Sequence, residues 1–78
     1  MKVAYFALAR DLAGVGEEEI SLDIGDLDYL FSEILNAHPK LREIRKIIRT
    51  LVNGRVTLGN SVLSDGDLVS LVPAVGGG

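Results

Sequence analysis

The feature that most constrains this sequence is one apolar stripe with helical spacing, flanked on both sides by segments of strand character. The stripe consists of Leu27, Leu30, Phe31, Ile34 and Leu35. Asp26 is the expected N-cap, Asp28 adds negative charge near the positive end of the helix, and Pro39 ends it. A chain of 78 residues forms one small domain. We therefore expect this helix to bury its stripe on one face of a sheet.

The segment before the helix predicts a pair of strands. Residues 2–9 are a compact apolar run bounded by charge, which is typical of a strand. Residues 10–16 contain two glycines and predict a turn. Residues 17–24 alternate between apolar and polar side chains, as a half-buried strand does. We therefore expect a hairpin over residues 2–24.

The segment after the helix predicts a second group of strands. Residues 40–46 are basic and add a short helical turn. Asn53 and Gly54 predict a tight hairpin turn, because both central positions need positive φ. Residues 64–67 form a second turn cluster, and Pro73 prevents clean continuation of a strand. The three strands are expected over residues 47–53, 55–58 and 68–72.

This order of elements predicts an α+β fold. Four or five strands that curl around one main helix give a ubiquitin-like β-grasp roll with a mixed sheet. We expect residues 1–72 to form the domain and residues 73–78 to form a flexible tail.

Composition and charge exclude several classes of function. The chain has no Cys and one His, so we expect no metal site and no nucleophile–base pair for an enzyme acting alone. His38, at the helix end, is expected to interact with the helix dipole rather than to act in catalysis. A net charge of −3 does not favour nucleic-acid binding. No apolar stretch approaches the roughly 20 residues of a membrane span, and we expect a cytoplasmic protein without a signal peptide or membrane partner.

The charged residues are unevenly distributed along the chain. Residues 17–33 hold seven acids and no base, whereas residues 40–49 hold five bases and one acid. Two interpretations stay open: two solvated faces, or a bipolar surface that orients a partner protein.

The last six residues suit a chemical role for the chain end. Fully extended, residues 73–78 reach roughly 20 Å at about 3.3–3.6 Å per residue. Gly76 and Gly77 have no Cβ and can thread a narrow channel, and Gly78 leaves its carboxylate unshielded by a side chain. The alternative is a disordered end with no role.

Several motifs resemble the MoaD/ThiS family. In that family a Val-Asn-Gly hairpin precedes an Asp-Gly-Asp turn, and a strand then leads through Pro to a Gly-Gly end. The front half is also similar, with an aromatic first strand, an Arg-Asp-Leu-Ala-Gly turn and an acidic second strand. A third glycine, at position 76, is the visible departure. The matching pieces are Val52-Asn53-Gly54, Asp65-Gly66-Asp67, Val72-Pro73, Gly77-Gly78 and Arg10-Asp11-Leu12-Ala13-Gly14.

The resemblance implies a sulfur carrier, the non-catalytic small subunit of a molybdopterin synthase. A ubiquitin-activating-like adenylyltransferase would use ATP to adenylate Gly78, and the carboxylate would become a thiocarboxylate. The tail would then enter the synthase large subunit and donate sulfur for the dithiolene of the molybdenum or tungsten cofactor. No cofactor would be bound to the chain itself.

Two other functions stay open from the sequence. One is a ubiquitin-like modifier joined through its C-terminal glycine to lysines, and the other is the sulfur carrier of the thiamine pathway. In each case a partner needs apolar surface beside the tail. For Phe6 and Leu71 a plain core position is the alternative. The expected partner-binding residues are Phe6, Leu71, Val72, Pro73 and Val75.

Overall fold

The computed structural model describes residues 1–21 and 25–74 of the chain. Within these residues it contains five strands, two α-helices and one 3₁₀ segment. No helix of this part of the chain is long and apolar enough to cross a membrane. The elements are β1 (Lys2–Tyr5), α1 (Ala7–Ala13), β2 (Glu17–Glu19), α2 (Leu27–Ala37), the 3₁₀ segment (Pro39–Ile47), β3 (Ile48–Val52), β4 (Arg55–Val56) and β5 (Leu68–Pro73).

The strands form one mixed sheet in the order β2-β1-β5-β3-β4. β1 and β5 are parallel, and the other neighbours are antiparallel. The last strand of the chain therefore lies in the middle of the sheet, bonded to β1 on one side and to β3 on the other. This arrangement confirms the predicted α+β fold with a mixed sheet.

The segment between β1 and β2 is a helix, which corrects the predicted strand over residues 2–9 and turn over residues 10–16. Ala, Leu and Arg, which dominate Ala7–Ala13, are strong helix formers. Gly14 ends the helix with φ 80° and donates its N–H to the Arg10 carbonyl. A short apolar run alone does not distinguish strand from helix. β1 and β2 are still antiparallel neighbours, but they are joined through a helix; residues 22–24 of the predicted second strand lie outside the described residues.

The main helix begins as predicted. Asp26 Oδ1 accepts a hydrogen bond of 2.7 Å from the Tyr29 N–H, which confirms the N-cap. Four residues of the apolar stripe are buried, and Phe31 is partly buried against them. The helix ends at Ala37, before Pro39. The short helical turn expected over residues 40–46 is a 3₁₀ segment of nine residues.

The core lies between one face of the sheet and the helical elements. Val3 and Tyr5 of β1 and Val69 and Leu71 of β5 point into it and are almost wholly buried. We call this side of the sheet the core face and the opposite side the open face. The helical elements contribute Ala9, Leu27, Leu30, Ile34, Leu35, Leu41 and Ile44 to the same cluster.

The hairpin between β3 and β4 has the predicted turn. Asn53 and Gly54 have φ values of 52° and 83°, the left-handed pair that a two-residue hairpin turn requires. β4 contains only two residues, shorter than the strand predicted over residues 55–58. β5 includes Pro73 and is one residue longer than predicted.

Candidate functional site

The site begins at the end of β5, where the predicted tail leaves the sheet. The backbone remains bonded to the sheet one residue beyond the strand, because the Ala74 N–H donates to the Ile47 carbonyl. The predicted tail residues Val75, Gly76, Gly77 and Gly78 lie outside the described residues. The structure therefore locates the root of the tail on the most central strand of the sheet.

Pro73 fits this strand without removing a bond from the sheet. The Leu71 carbonyl accepts a hydrogen bond of 3.2 Å from the Phe6 N–H, so alternate residues of β5 direct their backbone groups toward β1. Pro73, two residues further on, faces the same side, where β1 has already ended. The Phe6 carbonyl accepts instead from Ala9 and Arg10 of α1. The missing N–H of Pro73 thus leaves no acceptor of β1 unpaired.

The open face of the sheet carries exposed apolar side chains along β5 and its neighbours, from Leu68 at the start of the strand to Val72 beside the root. Residues paired across strands share a face, and the register pairs Leu51 with Val56 and Arg49 with Val72 on the open face. Val56 is 53% exposed and Leu68 is 38% exposed. Exposed apolar residues on one face of a sheet are typical of interaction surfaces. We call the group formed by Phe6, Leu51, Val56, Leu68 and Val72 the open-face patch.

The predicted partner-binding residues divide between two environments. Phe6 is 47% exposed, and Val72 and Pro73 are partly exposed. Leu71 is 0% exposed and belongs to the core, the alternative that the sequence left open, so it offers no surface to a partner. Val75 lies outside the described residues.

Three members of the open-face patch were missed by sequence reasoning. They are Leu51, Val56 and Leu68. Alternation along β3 and β5 shows that successive residues lie on opposite faces. It does not show which face the helices cover, and that depends on the pairing of strands distant in the chain.

A sharp change of direction places Phe6 at the surface. Phe6 is extended, and Ala7 has φ 49°, in the left-handed region that costs an L-residue about 1–2 kcal/mol. The chain thereby leaves β1 and enters α1 within one residue. Strained backbone of this kind is retained where the surrounding structure requires it.

The motifs that carried the family resemblance form a clip between two turns. Asn53 Nδ2 donates to Asp67 Oδ1 at 2.9 Å, and Asn53 Oδ1 accepts from the Leu68 N–H at 3.0 Å. Asp67 Oδ2 accepts from the Ser64 N–H at 2.8 Å. The bonds from Ser64 and Asn53 hold the pKa of Asp67 below its usual value. The Val-Asn-Gly and Asp-Gly-Asp segments thus fix the start of β5 against the end of β3.

Tyr5, Glu18 and His38 form a polar network at the other end of β1. Glu18 Oε2 accepts from the Tyr5 hydroxyl and lies near His38 Nε2, at 2.6 Å in each case. The Tyr5 and His38 rings meet edge to face, with centroids 5.5 Å apart. The side chain of His38, at the C-cap of α2, therefore pairs with a carboxylate of β2, a contact that the sequence did not predict.

The network shifts the pKa of two of its members. Burial raises the pKa of the Tyr5 phenol well above its usual value, and the bond to Glu18 and its charge add to this. Burial also acts to raise the pKa of Glu18, but the hydrogen bonds from Tyr5 and His38 and the charge of His38 outweigh it and lower the pKa. Glu18 is thus held as a carboxylate that joins β1, β2 and the end of α2.

The described residues offer no metal centre. Residues 1–21 and 25–74 contain no group of three or more His, Asp or Glu side chains placed to hold a metal ion. The features that the structure brings together are the root of the tail and the open-face patch.

Comparison with known proteins gives the family. The sequence model of the ThiS family matches residues 3–78. This chain belongs to the ThiS family, which confirms the resemblance carried by its motifs.

Two relatives match the chain over its whole length. The molybdopterin synthase sulfur carrier subunit of Chlamydomonas reinhardtii is 35% identical, and the match covers 100% of this chain and 98% of that protein. The protein of the same name from Homo sapiens is 36% identical, with coverage of 100% and 93%.

Solved structures show the same fold. A protein named molybdopterin converting factor, subunit 1, from Pyrococcus furiosus has a TM-score of 0.84 and 38% identity, and the match covers 95% of each chain. A chain in the complex of subunits 1 and 2 of the molybdopterin-converting factor from Helicobacter pylori has a TM-score of 0.73 and 28% identity, with coverage of 99% and 96%. Small archaeal modifier protein 1 from Methanosarcina acetivorans has a TM-score of 0.78 and 25% identity, with coverage of 99% and 94%. These likenesses confirm the ubiquitin-like β-grasp fold.

Proposed function

We propose that this chain is the sulfur-carrier small subunit of a molybdopterin synthase. The observation that carries the proposal is the position of the tail root. It leaves the central strand β5, which is bonded on both sides, next to the apolar open-face patch. A partner that covers the patch can therefore receive the tail in a defined direction. The full-length relatives that bear the name of this subunit support the same function.

The proposed chemistry takes place at the carboxylate of Gly78. A carboxylate is a poor acylating group, so it first attacks the α-phosphate of ATP in the activating enzyme and pyrophosphate leaves. Sulfide (HS⁻) from the sulfur donor then attacks the acyl carbon, its C–S bond replaces the C–O bond to AMP, AMP leaves, and the chain end loses the proton to become a thiocarboxylate. Gly76 and Gly77 give the tail access to a narrow site because they lack side chains.

In this proposal the chain donates sulfur but does not catalyse the transfer. It has no Cys, and its single His is engaged with Glu18, so neither supplies a nucleophile–base pair. The catalytic groups would belong to the large subunit, and ATP would be bound by the activating enzyme. We propose no cofactor for the chain itself.

Two protein partners follow from the proposal. One is the synthase large subunit, and the complex of subunits 1 and 2 from Helicobacter pylori supports a partner of this kind. The other is a ubiquitin-activating-like adenylyltransferase. Both enzymes act on the same chain end, so each needs access to the tail root and to the open-face patch.

A second function, attachment of Gly78 to lysines of other proteins, uses the same activated carboxylate. The likeness to small archaeal modifier protein 1 favours this possibility as an additional role. Lysine-linked conjugates in cells would support it, and a stable complex with a synthase large subunit would support the first function.

Intact mass spectrometry tests the sulfur-carrier proposal. The chain is incubated with its activating enzyme, ATP and a sulfur donor. We expect a mass increase that corresponds to replacement of one oxygen by sulfur, and none in a variant that lacks Gly77 and Gly78 but remains folded. Failure of the intact chain to form either an adenylate or a thiocarboxylate would overturn the proposal.

A further inference from the structure

A groove lies between α2 and the 3₁₀ segment, on the helical side of the molecule. Phe31 and Leu35 form its apolar floor, and Arg42 and Arg45 line one side. Its volume of about 420 Å³ can hold a few side chains of a peptide. We call it the basic groove; its lining residues are Asp28, Phe31, Ser32, Leu35, Arg42 and Arg45.

The 3₁₀ segment determines where the two guanidinium groups lie. The segment is kinked at Ile44, whose φ of −118° and ψ of 15° are not helical. Arg42 and Arg45, three residues apart, lie on either side of this kink, and both line the groove. Leu41 and Ile44, also three apart, are buried and anchor the segment to the core. Arg42 Nη2 donates to Asn36 Oδ1 at 3.0 Å, which holds this guanidinium at the groove.

The cations of this region have no acidic partners in the described part of the chain. Residues 40–49 carry five bases and one acid. The ion pairs among residues 1–21 and 25–74 involve the N-terminus, Lys2 and His38 instead. Unneutralised cations beside an apolar floor create a positive potential that attracts carboxylates. Guanidinium groups also bind carboxylates through paired hydrogen bonds.

We propose that the basic groove is a docking site for an acidic peptide segment of a partner protein. One apolar side chain of the segment lies on Phe31 and Leu35, and a carboxylate binds Arg42 and Arg45. Asp28 lines the other part of the groove and repels a second anion there, so the segment binds in one direction.

The character of the groove favours a peptide over other anions. A nucleic acid presents a phosphate at every nucleotide, whereas the lining of the groove supplies two arginines beside the acidic Asp28. A free phosphate would make no use of the apolar floor. An amphipathic acidic segment can place an apolar side chain against Phe31 and Leu35 and a carboxylate against the two arginines.

The groove lies across the core from the open-face patch. A protein docked in the groove leaves Leu51, Leu68 and Val72 of the patch uncovered, since these residues lie on the opposite face of the sheet. The tail root is nearer to the groove, because Ala74 donates to Ile47 at the end of the 3₁₀ segment. The docking site does not depend on the sulfur-carrier function.

An NMR titration of the ¹⁵N-labelled full chain tests the proposal. The probe is a capped peptide of alternating leucine and glutamate, and its control has glutamine in place of glutamate. We expect the largest shift changes at Ser32, Leu35, Arg42 and Arg45, and clearly weaker binding of the glutamine peptide. The spectra also report whether each variant is folded.

Two matched variants separate the groove from general charge. Arg42→Glu with Arg45→Glu should weaken binding by about tenfold or more, equivalent to about 1.4 kcal/mol. Lys40→Glu with Lys46→Glu makes the same change in net charge outside the groove lining. It should weaken binding less than about threefold, because it acts only through screened long-range potential.

Four results would overturn the proposal. They are equal losses in the two double variants, shift changes confined to the open face, equal binding of the glutamine peptide, and the absence of any shift change in the groove. A fifth would replace it: if inorganic phosphate alone shifts the same residues and displaces the peptide, the groove is an anion site and not a peptide docking site.

Discussion

The two sides of β5 differ in how completely their apolar side chains are buried. On the core face Val69 and Leu71 are completely buried under the helical elements. On the open face Leu68 and Val72 of the same strand keep part of their apolar surface exposed. One side of the strand thus contributes hydrophobic stabilisation of the domain, whereas the other leaves apolar surface for a partner.

The six residues of β5 therefore have two roles, one on the core face and one on the open face. The core face holds the central strand in place, so the tail leaves from a rigid position. The open face adds little to stability. Substitutions on the two sides should therefore affect different measurements.

The largest expected effect is on the core face. Leu71→Ala removes a completely buried side chain and leaves a cavity, so we expect the free energy of unfolding to fall by about 2–5 kcal/mol. Val72→Ala, the neighbour on the open face, should cost less than about 1 kcal/mol. Urea denaturation followed by circular dichroism measures both. Equal losses at the two positions would show that the faces do not differ in this way.

The next effect is on partner binding through the open-face patch. Phe6→Ala should weaken the complex with a synthase large subunit by about tenfold or more, since apolar anchors dominate interfaces. Leu8→Ala is the matched control, because Leu8 is 40% exposed but belongs to α1 and not to the patch. Calorimetric titration measures the two affinities. If Leu8→Ala weakens the complex as much as Phe6→Ala, the patch is not the partner surface.

A smaller effect concerns the network formed by Tyr5, Glu18 and His38. The pKa of Glu18 is lowered in the folded chain, so its contribution to stability is present above the unfolded pKa and is lost as pH falls through the folded pKa. Glu18→Gln should cost about 1 kcal/mol at neutral pH. The difference in the free energy of unfolding between the variant and the parent chain should shrink as the pH falls through the range in which carboxyl groups titrate.

Thermal unfolding across this pH range checks the network prediction. Glu17→Gln is the control, since Glu17 lies on the same strand and its ion pair with Lys2 is exposed at both ends. It should leave stability nearly unchanged. A Glu18→Gln deficit that stays constant with pH would mean that the charge of Glu18 has no part in it.

The smallest effect is expected at the tail root. Pro73→Ala restores an N–H on the side where β1 has ended, so it should change the free energy of unfolding by less than about 0.5 kcal/mol. Val72→Pro is the contrasting variant, because it removes a backbone donor where Val72 pairs with β3. Denaturant unfolding should show a clear loss for Val72→Pro only. A large loss for Pro73→Ala would show that its ring, not its position, stabilises the strand end.

Much of the fold was predictable because it depends on local chemistry. The N-cap at Asp26, the apolar stripe of α2 and the turn at Asn53 and Gly54 each follow from residues close together in the chain. The helix α1 was missed, although its alanines and Gly14 carry a helix signal. The apolar run over residues 2–9 is continuous across the boundary between β1 and α1. It was therefore interpreted as one strand, although only its first part is one.

The site was predictable only in part. The sequence indicated the tail and its family, and it placed Phe6 and Val72 near a partner. It did not separate Leu71 from its neighbours, because alternation shows that successive residues lie on opposite faces without showing which face is covered.

Local sequence thus determined the main helix and the turns of this protein and indicated the chemistry proposed for its chain end. The tertiary structure alone decided that the last strand is central, that one side of it is covered, and that Glu18 meets His38 and Asn53 meets Asp67. The physical reason is that each of these depends on contacts between residues far apart in the chain. Periodicity and capping report only on neighbours, whereas pairing and burial depend on the packing of the whole domain.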